Sequence, residues 1–313
     1  MSTAAAFPVL VSGATGFVGQ ALLRHLHQSA LPVHVLSRPA HDLLLPASLR
    51  PACEGIDTVF HLAAYAHVNH AQTRHLYAVN VDGTQHLLNA AVDAGVRHFV
   101  YISSILADPA YDEPRTAYGD SKWQAEQLLN DAHAQGKMTV SIVRPVNVYG
   151  PGMKGNLMTL LRLIRKGVLP PLPHVDNAFS MIGVEDLCAA LILVAQQAHP
   201  NTDTIKASTA APVYVLSDGE SYQIKQVEKA MREAFGKVQP EWATPRQLFF
   251  AAALMLEIAG RLLPLKNSPG LRSYRALTRN YRADSGASLA QLGYNPRSTF
   301  FNTLPQIVAA MDH

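Results

Sequence analysis

Tyr118-Gly-Asp-Ser-Lys122 places a phenol and an ammonium at positions i and i+4, which share one face if the segment is helical. A free tyrosine titrates near pH 10 and is a poor base at neutral pH; a neighbouring cation favours its phenolate and makes proton exchange accessible. The strand-like run Phe99–Ser103 is followed by Ser104, so a hydroxyl stands at a strand end before that helix. At the start of the chain, Gly13-Ala-Thr-Gly16-Phe-Val-Gly19 lies between the apolar run Phe7–Ser12 and a stretch with helical spacing, Phe17, Val18, Leu22 and Leu26. Gly13 permits a tight turn out of a strand, Gly16 close approach of a pyrophosphate, and Gly19 tight helix–strand packing. The helix N-terminus offers amide groups to the anion. The spacing is G-x-x-G-x-x-G, one residue wider at the first interval than the usual dinucleotide fingerprint.

These groups need a scaffold that brings strand ends together. Val33–Leu36, Thr58–Leu62, Phe99–Ser103 and Thr139–Arg144 read as strands. Helical segments lie between them at Gly83–Ala94 and Trp123–Gln135. This alternation predicts βαβ units in a Rossmann-type, doubly wound parallel α/β sheet. After Pro145 the texture changes: turn signals surround the helix Asn156–Arg165, followed by an apolar helix at Glu185–Gln197, a strand at Val213–Leu216 and a mostly helical last hundred residues. The expected organisation is interleaved, with residues 1–145 and about 181–217 binding a dinucleotide. Residues of about 146–180 and 218–313 form a smaller substrate domain. The second strand ends Leu36-Ser37-Arg38, without the acidic residue that would bond a ribose 2′-hydroxyl. Serine and arginine suit a 2′-phosphate, so NADP(H) is favoured and NAD(H) stays open.

The motifs together resemble the extended short-chain dehydrogenase/reductase family, in its NAD-dependent epimerase/dehydratase branch. They are the glycine loop, His61-Leu-Ala-Ala64, Asn80-Val-Asp-Gly-Thr84, Ser103-Ser104, Tyr118 with Lys122, Arg144-Pro-Val-Asn147, Val184-Glu-Asp-Leu187 and Leu292-Gly-Tyr-Asn-Pro296. The resemblance implies that Ser104 is the catalytic hydroxyl, Tyr118 the acid/base and Lys122 its tuner. It implies cofactor contacts from Gly13, Thr15, Gly16, Phe17, Val18, Ser37, Arg38, Asn80, Tyr118, Lys122 and Pro145, with Leu62, Ala63 and Ala64 as a backbone wall. It assigns Asn147, Asn156 and Leu157 to the diphosphate side of a UDP-sugar. His67, Ser104 and Arg282 join the expected substrate contacts.

Pro151-Gly-Met-Lys-Gly-Asn156, Ser180-Met-Ile-Gly183 and Ser217-Asp-Gly-Glu220 look like a bacterial subgroup of this branch, whose members include 4-ketoreductases acting on UDP-4-keto-6-deoxy-N-acetylhexosamines for surface polysaccharide. A UDP-hexose 4-epimerase and a non-catalytic NADP-sensing protein are the alternatives. Ile105-Leu106 follow Ser104 where dehydratases of this branch carry Asp-Glu, and neither can move a proton, which argues against dehydration. Phe179 stands where many relatives carry an arginine that grips the diphosphate. The family also implies a homodimer through the segments Gly83–Ala94 and Trp123–Gln135.

Composition narrows the remaining classes. With 26 basic and 23 acidic residues the net charge is +3, and the basic residues form no stripe interleaved with aromatics, so no nucleic-acid partner is expected. Two cysteines, Cys53 and Cys188, imply a reducing compartment, and a cytoplasmic location is expected. His67, His70 and His75 have no carboxylate or cysteine at a recognised ligand spacing, so no metal is expected. Between Arg38 and Asp57 there is room only for an abbreviated third strand. Leu248–Leu256 is too short to span a bilayer. It reads as a buried or partner-facing helix, with an interfacial membrane contact as the alternative and no stable membrane insertion.

Overall fold

The computed structural model describes residues 7–66, 72–111, 115–197, 209–262, 270–278 and 280–311. His67 and His70 lie outside the described residues. The chain divides into two compact units: residues 1–146, 184–217 and 284–296, and residues 147–183, 218–283 and 297–313.

In chain order the first unit begins with β1 (Val9–Ser12), α1 (Phe17–Gln28), β2 (Val33–Leu36), α2 (Arg50–Cys53), β3 (Thr58–His61) and α3 (Thr73–Tyr77). It continues through α4 (Gly83–Asp93), β4 (His98–Ile102), α5 (Ala117–Ala134) and β5 (Thr139–Pro145). The second unit takes β6 (Asn147–Tyr149), α6 (Asn156–Lys166) and β7 (Met181–Gly183). The chain then returns to the first unit for α7 (Val184–Gln197) and β8 (Val213–Leu216). The second unit resumes with α8 (Ile224–Glu233), α9 (Arg246–Leu262) and α10 (Leu271–Thr278). After α11 (Gly286–Leu292) of the first unit it ends with α12 (Phe300–Ala309).

The first unit is built on a six-stranded parallel sheet in the order β2-β1-β3-β4-β5-β8. β3 and β4 are buried along their whole length, as expected of parallel strands covered on both faces. The chain leaves β1 toward β2 and then crosses to the other side at β3, so the switch point lies between β1 and β3. Register pairs Ser12 with both Leu36 and His61, which brings the loops after these three strands to one sheet edge. The abbreviated third strand does not form. Residues between Ser37 and Asp57 make a 3-10 turn at Pro46–Ser48 and the single turn of α2. Pro46 and Pro51, without amide donors, suit short helical turns better than a sheet ladder.

The span 218–313 is not wholly one unit, because α11 packs against β8 and α7. Ser288 Oγ accepts the Val215 N–H at 2.9 Å, and the Tyr294 hydroxyl donates to Asp186 at 2.6 Å. Conversely, β7 pairs with β6 in a separate two-stranded parallel sheet of the second unit. Among the described residues, no helix is long and apolar enough to cross a membrane.

Candidate active site

The glycine loop turns at Gly13, where φ is +73°, and the Gly16 N–H closes it on the Gly13 carbonyl at 3.0 Å. A Cβ at Gly13 would stand 2.5 Å from Ala63 N and 2.8 Å from Leu62 C. Only glycine therefore lets this loop lie against the Leu62–Ala63 backbone. A Cβ at Gly19 would collide with the Gly13 carbonyl, so this residue sets how closely α1 meets the loop. Gly16 caps α1 with extended backbone and no side-chain hydrogen bond, and the first turn holds no acidic residue. Thr15 and Gly16 are exposed, and Phe17 and Val18 are half-buried. An uncapped, carboxylate-free helix start behind a glycine turn fits the pyrophosphate of a dinucleotide. Ser37 and Arg38 follow β2 at the same sheet edge, and both are exposed.

Behind the wall lies a hydrogen-bonded chain that the sequence reading missed. The Ala63 N–H donates to Ser12 Oγ at 3.3 Å. Ser12 Oγ lies 2.6 Å from His61 Nδ1, and His61 Nε2 lies 2.9 Å from Thr84 Oγ1. Thr84 spends its hydroxyl proton on the Asn80 carbonyl at 2.7 Å, so His61 carries its proton on Nε2 and accepts from Ser12 at Nδ1. Burial, with the Lys122 charge adding, lowers His61 to about 3 and keeps it neutral. Asn80 sits in a π-helical turn, Ala78–Asp82, with its side-chain amide turned to protein. It accepts the Tyr65 N–H at 2.7 Å and donates to Ser121 Oγ at 2.9 Å and the Tyr65 carbonyl at 3.1 Å. The legible signal was a polar pair, Ser12 and His61, at the ends of two largely apolar strands.

α5 starts cleanly because Thr116 Oγ1 accepts the Gly119 N–H at 3.1 Å. That cap puts Tyr118 in the first turn, half-buried, with Lys122 one turn later and Glu126 one turn beyond, each about 1% exposed. Lys122 Nζ donates to the Ile102 carbonyl at the end of β4 at 2.8 Å and stands 4.5 Å from the centre of the Tyr101 ring. Desolvation lowers Lys122 to about 7, against the pull of Glu126. That pull is spread over other partners. Arg144 grips Glu126 with two bonds, 2.6 and 3.0 Å, and holds Asp108 at 2.7 Å. This carboxylate–guanidinium cluster was also missed, since nothing in the spacing of 108, 126 and 144 announces it. Burial, with Tyr118 and Glu126 adding, pushes the Tyr101 phenol well above its ordinary value.

Of the two serines after β4, Ser103 is buried, whereas Ser104 is half-buried and caps a 3-10 turn by accepting the Leu106 N–H at 3.2 Å. Pro145 ends the adjacent strand β5 and is buried. The first unit thus gathers the glycine loop, the Leu62–Ala64 wall, Ser104, Tyr118 and Lys122 around strand ends of one sheet. Asn147, Asn156, Leu157 and Arg282 belong to the second unit, where Asn147, Asn156 and Arg282 are exposed and Leu157 is half-buried. Phe179 is buried there, bridged to Tyr222 and Tyr281, and serves packing.

Residues 9–206 match the family described as the NAD dependent epimerase/dehydratase family. The chain is 30% identical over 269 residues to the UDP-glucose 4-epimerase of Vibrio cholerae, covering 76% of this chain and 78% of that protein. It is 28% identical to sterol demethylase protein B of Methylococcus capsulatus, covering 93% of this chain and 94% of that one. The fold is similar to that of a UDP-N-acetylglucosamine 4-epimerase from Bacillus cereus, with a TM-score of 0.73, 16% identity, and coverage of 98% of this chain and 100% of that one. The glycine turn, the parallel sheet with its switch point and the match over residues 9–206 therefore identify the chain as a member of the NAD-dependent epimerase/dehydratase family.

Proposed function

We propose that this chain is an NAD(P)-dependent nucleotide-sugar oxidoreductase that reduces the 4-keto group of a UDP-4-keto-6-deoxy-N-acetylhexosamine. The observation that carries the reading is the buried Lys122 ammonium, tied to the end of β4 one helical turn from the half-buried Tyr118. The glycine loop and the Leu62–Ala64 wall would hold a reduced nicotinamide dinucleotide, whose ring would supply a hydride to C4. Tyr118 gives its phenolic proton to the carbonyl oxygen, which becomes the alcohol, and Ser104 donates a hydrogen bond to that oxygen as charge develops on it. Lys122, lowered to about 7, can share a proton with the phenol side of the site at neutral pH. Asn80 and His61 act as positioning residues: one holds the Tyr65 backbone, and the other orders the Leu62–Ala64 wall through Ser12. The exposed Ser37-Arg38 pair favours NADP(H).

A UDP-hexose 4-epimerase is the second reading, supported by the similarity to the Vibrio enzyme. It would use the same three side chains to oxidise C4 and reduce it on the opposite face. The deciding experiment measures NADPH consumption across UDP-4-keto and UDP-hexose sugars, with product configuration at C4 read by NMR. Stoichiometric NADPH oxidation with a 4-keto sugar supports the reductase. Interconversion of UDP-hexoses with retained, tightly bound NAD replaces it with the epimerase. An Arg38→Ala variant is expected to lose affinity for NADPH about tenfold while NADH binding changes little.

A further inference from the structure

The helix α9 is built inside out for a soluble surface. At 100° per residue, Leu248, Ala251, Ala252, Met255, Ile258 and Ala259 share one face, and none of them carries a polar side-chain group. Leu248 is 62% exposed, Met255 66% and Ile258 49%. The opposite face holds Arg246 and Glu257 together with Phe249 and the buried Ala253. Phe249 lies tilted and Phe250 edge-on against Tyr274 of α10, at ring distances of 5.8 and 5.3 Å, and Arg246 Nε donates to the Tyr274 hydroxyl at 3.1 Å. Arg246 and Glu257 thus lie on the side of α10, and the face of Leu248, Met255 and Ile258 is aliphatic and exposed. Isolated exposed leucines are ordinary, but a contiguous apolar helix face marks a contact. Of the two readings of this helix, buried or partner-facing, these exposures exclude the buried one.

Charge selects the occupant. From Arg246 to Arg282 the chain carries seven arginines and lysines against the single carboxylate of Glu257. The rest of the chain, with 19 basic and 22 acidic residues, is net negative. Arg246, Arg275 and Arg282 are exposed, and so is Trp242, four residues ahead of α9. An aliphatic face without hydrogen-bonding groups, a surplus of cations along the 246–282 stretch and an exposed indole are the features with which a helix lies in an anionic membrane interface. We propose that α9 is a reversible docking helix that seats this chain on the surface of an anionic phospholipid bilayer, independently of which sugar the enzyme reduces.

The test is co-flotation of the full chain with vesicles. Binding is expected to phosphatidylglycerol–phosphatidylcholine vesicles at low salt, several-fold weaker at high salt and weaker still to pure phosphatidylcholine. Leu248→Glu with Met255→Glu, both at exposed positions, is expected to cut binding about tenfold or more with an unchanged melting temperature. As a second measurement on the unaltered face, brominated lipid should quench tryptophan fluorescence, and Trp242→Phe should remove that quenching. Absence of flotation, binding indifferent to both salt and the glutamates, or unquenched fluorescence overturns the proposal. So does a dimer in sedimentation velocity that the glutamates split while lipid has no effect, since a second copy would then cover the face.

Discussion

Two tyrosine sites in this chain meet opposite neighbours. In the first unit Tyr118 precedes Lys122 by one helical turn and stays half-buried. In the second, Tyr149 and Tyr222 are fully buried and both donate to the Asp218 carboxylate, at 2.9 and 2.6 Å. Tyr222 also accepts the Phe300 N–H at 2.9 Å, and the Tyr149 hydroxyl lies 3.0 Å from the Ser298 carbonyl. Burial and the adjacent carboxylate push both phenols up, far outside any range where they could release a proton. Burial likewise raises Asp218, although the hydrogen bonds from both phenols oppose it. The same side chain is therefore the proposed proton carrier where a lysine follows one helical turn later and a fastening where it meets a carboxylate. The sign of the neighbouring charge and access to solvent separate the two uses.

The largest expected effect breaks the first site only. Tyr118→Phe should lower turnover about 10³-fold with a near-unchanged melting temperature, read by steady-state hydride transfer and by calorimetry. Ser104→Ala should cost about 10²-fold in turnover, since one donor to the developing oxyanion is lost. The reciprocal change, Tyr149→Phe, should destabilise the fold by about 1–3 kcal/mol in urea unfolding, because buried acceptors at Asp218 and Ser298 lose a donor. Turnover per folded molecule should hold. A loss of turnover without a loss of stability in that variant would erase the contrast.

The smallest effect is a slope. Lys122 titrates at about 7 in the folded chain and near 10.4 when unfolded. Across that window the unfolded chain binds more protons, so stability rises with pH, and the cost of burying the ammonium is fully present below about 7. Urea midpoints of the wild type should climb between neutral and alkaline pH, and Lys122→Met should flatten that climb.

Much of the first site was legible because it is local. Gly13, Gly16 and Gly19 fall within one turn and its following helix, and Tyr118 and Lys122 within one turn of α5, so spacing alone places them. The partners of Lys122 were not legible. Ile102 offers only a backbone carbonyl, and Arg144 reaches Glu126 and Asp108 from a strand 18 and 36 residues away. The part played by His61 is not legible in the sequence either, because it depends on Ser12 and Thr84 in other elements. The segment between Ser37 and Asp57 was read toward a strand that its prolines do not make. The return of residues 284–296 to the first unit hangs on contacts with β8 and α7 that no periodicity encodes.

By itself, then, the sequence determined the alternation of strand and helix, the turn at Gly13 and the pairing of phenol with ammonium on one helix face. Backbone sterics and helical period act between near neighbours, so these are written in short stretches. Only the tertiary structure decided that Lys122 is buried and lowered to about 7, that Tyr149 and Tyr222 are fastened to a carboxylate, and that α9 turns its aliphatic face outward. Desolvation and charge pairing depend on what distant segments bring to the same place, and one-dimensional spacing does not carry that information.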